Sequence, residues 1–235
     1  MRVLGVDTAT AYVVVGVTAD GELVHEVSVP PGSDGRPRHS EVLLTEVERS
    51  VDAAGGWRKL DRIAVGIGPG SFTGLRIGIA TGRALSQARD LPVAPVGSLA
   101  ALARGISEGR TANGPALPVF DARRKEAFAA LFGDAGEELW PPFVAPPKQL
   151  AARVRELDSA PLAAGDGALR FATELEAAGA TVAAPEDPIH RVAARHVCAV
   201  GEAAVEAPTD QIQPLYLRPP DAKRWRERDR GVPGG

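Results

Sequence analysis

Apolar positions along the first third of the chain fall in short runs at residues 3–6, 13–17 and 24–29. Runs of this length, rich in valine and bounded by turn residues, read as strands; Asp20-Gly21 between the last two is a tight-turn signal. Residues 30–37 form a Gly/Pro/Ser loop, and helical spacing then takes over at residues 39–54. Ser40 is the expected N-cap, Glu41 falls in the first turn, and Gly55-Gly56 stops the helix. Residues 63–67 read as a buried strand leading into the turn Gly68-Pro69-Gly70, with a second helix from about Ser71 to Arg89. A strand at 93–96 and a helix at 98–106 follow. Antiparallel strands first and βα alternation afterwards predict an α/β mixed sheet flanked by helices.

The Gly, Asn and Pro loop at 109–115 marks an expected boundary. Strands are expected at 117–120 and 127–131, joined by the charged stretch 121–126, and helices at 147–157, 169–178 and 191–206. The second half reads as a shortened variation of the first, without a residue-level repeat. The expected organisation is a first lobe over 1–108, a smaller lobe over 109–218, and a disordered tail over 219–235. That tail is polar, Pro/Gly-rich and basic, with Lys223, Arg224, Arg226, Arg228 and Arg230 around Trp225. A solvated remnant is the favoured reading of it over an RNA contact.

Composition narrows the classes. With 235 residues, 44% hydrophobic and 24% charged, the chain suits one large domain or two small ones. A net charge of -3 and a pI of 5.9 argue against a broad basic surface that grips nucleic acid. Cys198 is the only cysteine, which excludes an intrachain disulfide and a thiolate metal cage. A reducing cytoplasm, no secretory leader and no membrane span are the corresponding expectations.

The stretch from Gly68 to Gly78 carries the most information. A strand feeds a glycine turn and a helix opens at Ser71, where free N–H groups and the helix dipole can hold an anion. Gly74, Gly78 and Gly82 repeat along one helical face, which lets a neighbour approach closely. A helix pressed on its sheet with no ligand and a phosphate turn at Gly68, Gly70 and Ser71 both fit. The turn has neither the Gly-Lys-Ser/Thr ending of a Walker loop nor dinucleotide-fold spacing. Asp7 and Thr8 at the end of the first strand suit either a magnesium nucleotide or a self-bonded turn. Asp121, in Asp-Ala-Arg-Arg-Lys-Glu, suits either a second phosphate-facing turn or a solvated hairpin. Gly165-Asp166-Gly167 reads as a turn.

His25, His39, His190 and His196 are the only histidines. No pair stands one helical turn apart, no Gly-x-Ser-x-Gly elbow occurs, and Cys198 sits in an apolar stretch, so metallopeptidase and serine-hydrolase chemistry are disfavoured. In the first helix, Leu43, Val47 and Val51 are spaced by four, and Val42 and Leu44 widen the stripe. Deep burial and a partner-facing second face explain this equally well.

The segment Gly68-Pro-Gly-Ser-Phe-Thr-Gly-Leu-Arg-Ile-Gly-Ile closely resembles the signature of the bacterial TsaB family, also called YeaZ. The opening Val-Leu-Gly-Val-Asp-Thr-Ala-Thr, the His39-Ser40-Glu41-Val-Leu-Leu helix start, the Asp121-Ala-Arg-Arg turn and the ending Pro214-Leu-Tyr-Leu-Arg-Pro219 resemble it too, in order over nearly the whole chain. The resemblance implies an actin-like fold of two related lobes and a non-catalytic partner of TsaD. TsaD transfers the threonylcarbamoyl group to adenosine-37 of tRNA, and TsaE, an ATPase, completes the assembly. It also implies that the first two long helices meet TsaD, or a second copy of the chain, which places His39, Ser40, Val42, Leu43, Leu44, Val47, Val51, Thr73 and Arg76 at the interface. TsaD-type relatives bind metal with two histidines one turn apart; here Leu43 stands where the second would be. The expectations are no cofactor or metal on the chain alone, ATP or ADP only in the assembled complex, and tRNA contacted indirectly. The competing reading is an actin-like ATPase or small-molecule kinase using Asp7 and the Gly68–Gly70 turn.

Overall fold

Two mixed five-stranded sheets with helices on them make up the fold, and each sheet opens with an antiparallel meander before turning to parallel strands. The computed structural model describes residues 1–109 and 114–218. In the first sheet, β1 (Arg2–Asp7), β2 (Val13–Ala19) and β3 (Glu22–Val29) pair antiparallel. Asp20 and Gly21 turn β2 into β3 with positive φ, as a two-residue hairpin requires. Helix α1 (His39–Ala53) then crosses to β4 (Arg62–Gly68), which lies parallel to β1, and α2 (Phe72–Arg89) crosses to β5 (Val93–Gly97), parallel to β4. The order β3-β2-β1-β4-β5 places β1 at the centre, and its side chains from Val3 to Asp7 are buried.

Helix α3 (Ser98–Gly109) passes to the second sheet, built from β6 (Ala116–Asp121), β7 (Ala127–Phe132), β8 (Glu138–Ala145), β9 (Leu162–Ala164) and β10 (Thr181–Val182). The order β10-β9-β6-β7-β8 mirrors the first sheet. Helices α4 (Pro147–Arg155), α5 (Asp166–Arg170) and α6 (Ala172–Glu176) cover it, and α7 (Ala194–Ala203) follows. The expected helix over 169–178 is two short helices broken at Phe171, and the expected helix over 191–206 is confined to α7. Three strands were not read from the sequence. β8 contains Pro141 and Pro142, tolerated because it is an edge strand, and β9 and β10 are only three and two residues long.

Helix α7 returns to the first lobe. Arg62 Nη1 donates to the carbonyls of Gly201, at 2.8 Å, and Ala204, at 3.0 Å, and the Cys198 thiol donates to the Val3 carbonyl at 3.3 Å. An apolar cluster with Val3, Val96, Leu102, Ile106, Phe120 and Val197 therefore lies between the sheets, while Leu4, Val15, Val47 and Leu75 centre a second beneath α1 and α2. Among the described residues, no helix is long and apolar enough to cross a membrane. The core of the 109–115 loop and the tail from 219 onward lie outside the described residues.

Candidate functional site

Both β1–β2 and β6–β7 turn toward a cleft of about 700 Å³ between the lobes. Its walls are the turn at 9–11, the entry to α2 at 70–73, the hairpin at 120–124, Asp166 and the segment 215–218. A helix opens after Ser71 as expected, but two of the N–H groups there are already partnered: the Ser71 hydroxyl accepts from the Gly74 N–H at 3.3 Å, and the Ser71 N–H donates to the Ala9 carbonyl at 2.7 Å. At the opposite wall, the Asp121 carboxylate accepts from the Arg123 N–H at 2.9 Å and from Arg170 Nη1 at 2.6 Å. Asp166 Oδ1 accepts from the Asp121 N–H at 3.0 Å, and burial holds the Asp166 carboxyl above the usual carboxylate range.

Gly70, Ser71 and Asp121 thus reach the cleft, whereas Asp7, Thr8 and Gly68 are not among its lining residues. Asp7 is 1% exposed; its carboxylate accepts from the Ser98 hydroxyl at 2.5 Å and the Ala9 N–H at 2.8 Å. Burial raises its pKa, against the opposing pull of those two hydrogen bonds. A fully buried carboxylate that already serves two donors is poorly placed to hold magnesium. The Gly68 N–H donates to the same Ser98 hydroxyl at 3.2 Å, and the Thr8 hydroxyl donates to the Gly74 carbonyl. The self-bonded reading of the first turn therefore has the stronger support, and the phosphate role of Asp7, Thr8 and Gly68 does not. Ser98, which joins the two turns, was missed; it follows Gly97 with no motif around it and meets Asp7 only through the sheet.

The stripe on α1 is also corrected. Leu43, Val47 and Val51 are at most 2% exposed and belong to the first lobe's own core, because α1 lies on β2 and β3. His39 is buried too, beside Gly74, and its Nε2 has no hydrogen-bond partner. Burial lowers its pKa, which favours the neutral ring. Val42 is half-buried against the core. Of the proposed surface, Ser40, Leu44, Thr73 and Arg76 face outward, with Leu44 60% exposed. The sequence pattern could not separate sheet-facing from solvent-facing apolar positions, since both repeat at helical spacing. Ser40 is not the N-cap: Arg38 occupies that position, and its side chain donates to Glu41 rather than capping the helix. Also unforeseen was the stacking of Phe72 on Tyr216, with ring centroids 5.2 Å apart.

Among the described residues, no three His, Cys, Asp or Glu side chains converge as metal ligands. His190 sits in a 3-10 turn ahead of α7, where its ring contacts the backbone of Gly165 and Ala184; His196 Nε2 lies 2.9 Å from Glu108.

The sequence model of the family described as "TsaD: tRNA N6-adenosine threonylcarbamoyltransferase" matches residues 33–208. An uncharacterized protein of Mycobacterium tuberculosis is 38% identical over 94% of this chain and 93% of its own length. The tRNA threonylcarbamoyladenosine biosynthesis protein TsaB of Haemophilus influenzae is 26% identical over 93% of this chain and 94% of its own. Among solved structures, YeaZ from Pseudomonas aeruginosa aligns with a TM-score of 0.74 at 25% identity, over 92% of this chain and 99% of that one. A ROK hexokinase from Thermus thermophilus, at 15% identity over 86% of this chain and 98% of that one, has a TM-score of 0.52 and shares the actin-like fold alone. With the two mirrored sheets, the Gly68–Gly78 turn and helix, and these matches over most of its length, the chain belongs to the TsaB/YeaZ family.

Proposed function

We propose that this chain is a non-catalytic subunit in the biosynthesis of threonylcarbamoyladenosine in tRNA, and that it binds and stabilises a TsaD-type transferase working with TsaE. The relatives from Haemophilus influenzae, Bacillus subtilis and Escherichia coli that bear the name TsaB support the pathway. The observation that carries the docking role is the outer face of the two adjacent helices α1 and α2. Leu44 is 60% and Phe72 43% exposed there, Arg76 lies over the Phe72 ring at 5.3 Å, and Ala80, Ala84 and Ala88 are exposed along α2. A large apolar anchor with an aromatic–arginine pair beside it suits a protein interface, and small residues let a partner helix come close. The same face would serve a second copy of the chain when no transferase is present. A catalytic role for His39 is disfavoured by its burial and by Leu43, itself a core residue, one turn away. Any ATP or ADP is placed in the assembled complex, and tRNA contacts this chain indirectly.

Sizing chromatography with light scattering, on this chain alone and mixed with TsaD of the same organism, tests the reading. A one-to-one species that is lost in Leu44→Asp and weakened in Arg76→Glu, both keeping wild-type melting, is the expected result. Leu43→Asp and Val47→Asp are unsuitable probes, because they would break the core. Failure to form a complex at micromolar concentration, with ATP bound by the isolated chain instead, overturns the reading in favour of an actin-like ATPase.

A further inference from the structure

The last described residues pass from one lobe to the other. Ile212 is buried in the core beneath α1 and α2. The Leu215 N–H then donates to the carbonyl of Ile67, near the end of β4, at 2.8 Å. Tyr216 stacks on Phe72 at the entry to α2, with the two planes 24° apart. Leu217 packs on the apolar cluster between the sheets. Arg218 completes the crossing: its Nη1 donates to the Ala122 carbonyl at 3.0 Å, its Nη2 pairs with the Glu126 carboxylate, and its guanidinium lies over the Phe128 ring.

Ala122 and Glu126 are the two ends of the β6–β7 hairpin, closed by the Ala122 N–H to the Glu126 carbonyl at 3.0 Å. Between them, Arg123, Arg124 and Lys125 all have left-handed φ of 61°, 52° and 61°. Residues with a Cβ hold that conformation in sequence only where the surroundings impose it. Arg218 grips this hairpin after its own segment has passed the first lobe at Leu215 and Tyr216. Two lobes joined across a cleft otherwise have hinge motion as their default.

We propose that residues 215–218 form an interlobe strap, anchored to the first lobe at Ile67 and Phe72 and to the second at Ala122, Glu126 and Phe128. The strap closes the cleft wall and sets the orientation of the lobes from within the chain itself. The contacts are of several kinds: hydrogen bonds to the Ile67 and Ala122 carbonyls, an aromatic stack at Phe72, an ion pair at Glu126 and a guanidinium over the Phe128 ring, with Leu217 packed on the apolar cluster between them. The strap stands independently of the docking role above. One consequence does rest on that role: a partner that buries Phe72 presses on Tyr216, and so couples docking to lobe orientation.

Four proteins test the strap: the full chain, the chain ending at Arg218, the chain ending at Pro214, and full-length Arg218→Ala. Ile212 stays in all of them, so the first lobe's core is intact. Hydrogen exchange at the amides of 122–126 is compared with that of β1 and β4. The chain ending at Arg218 is expected to match the full chain. The chain ending at Pro214 and Arg218→Ala are expected to exchange about tenfold faster in the hairpin, with β1 and β4 unchanged. Trypsin should cleave after Arg123, Arg124 or Lys125 correspondingly faster. Spin labels on Thr45→Cys and Glu174→Cys, both exposed, should report a broader lobe-to-lobe distance distribution once the strap is cut. Hairpin exchange and label distances that stay unchanged in both strap variants overturn the proposal. So does acceleration that spreads equally through β1 and β4, or that already occurs in the chain ending at Arg218.

Discussion

The Thr8 hydroxyl donates to the Gly74 carbonyl at 2.8 Å, which fastens the end of the central strand to the first turn of α2. The contact exists because position 74 has no side chain. A Cβ there would overlap the Thr8 carbonyl oxygen and lie 2.9 Å from Cε1 of His39. Further along the same face, a Cβ at Gly78 would overlap the Thr8 hydroxyl oxygen, and one at Gly82 a Val65 methyl. The three glycines are where α2 rests on β1 and β4.

These contacts rank three substitutions. Gly74→Ala drives a methyl into backbone, which cannot move aside, and should cost about 3 kcal/mol. Gly82→Ala meets the end of a side chain and regains about 1 kcal/mol of helix propensity, so its net cost should be about 1 kcal/mol. Gly78→Ala should fall between them, because it also displaces the Thr8 hydroxyl from Gly74. Urea midpoints measure the series, and an order with Gly82→Ala as the most damaging would refute this account of the packing.

Asp7 gives a pH signature. Its folded pKa is raised above the ordinary 3.8 by burial, so the native state holds the proton over a range where the unfolded chain has released it. The carboxyl's contribution to stability therefore falls as pH rises through that window. His39 and His196 act oppositely: burial lowers both below 6.5, and their contribution, present above 6.5, is lost as pH falls through the window below it. Asp7→Asn keeps an acceptor for the Ala9 N–H, puts a donor where Ser98 met an acceptor, at a cost that does not vary with pH, and removes the carboxyl's titration. The variant should gain on the wild type in thermal midpoint as pH climbs from about 4 to about 7, and a difference that is constant with pH would contradict the assignment.

Cys198 should be inert in the folded protein. Burial pushes its thiol up to about 12, and the sulfur is enclosed by Gly5, Val3 and Gly16. The thiolate is the reactive form, so a disulfide reagent at pH 8 should label native protein on the unfolding timescale, about a hundredfold or more below the rate in urea. Rapid labelling without denaturant would show that α7 opens from the first sheet on its own.

Much of the first lobe was legible because its signals are local. The valine runs at 13–17 and 24–29, the Asp20-Gly21 turn and the glycine turn ahead of the second helix each act over a few residues, and the structure places strands, hairpin and helix there. The second lobe was less legible. Pro141-Pro142 disguised β8, and β9 and β10 are too short to show a period. Their strand character comes from pairing with β6 and with each other, a tertiary fact.

The candidate site divides in the same way. The chain alone marked Gly70, Ser71 and Asp121 as turn residues with polar chemistry, and the fold brings all three to one cleft. Only the tertiary structure decided that Asp7 spends its carboxylate on Ser98 and Ala9 and that His39 and the Leu43, Val47, Val51 stripe face inward. It also decided that Phe72 meets Tyr216 and Arg218 reaches Ala122. A sequence fixes the period of an amphipathic helix and the residues able to turn a chain, because those depend on neighbours within one or two turns. Which of two apolar faces is covered, and which distant hydroxyl satisfies a buried carboxylate, depend on how separate elements pack, and that information is in no single stretch of the chain.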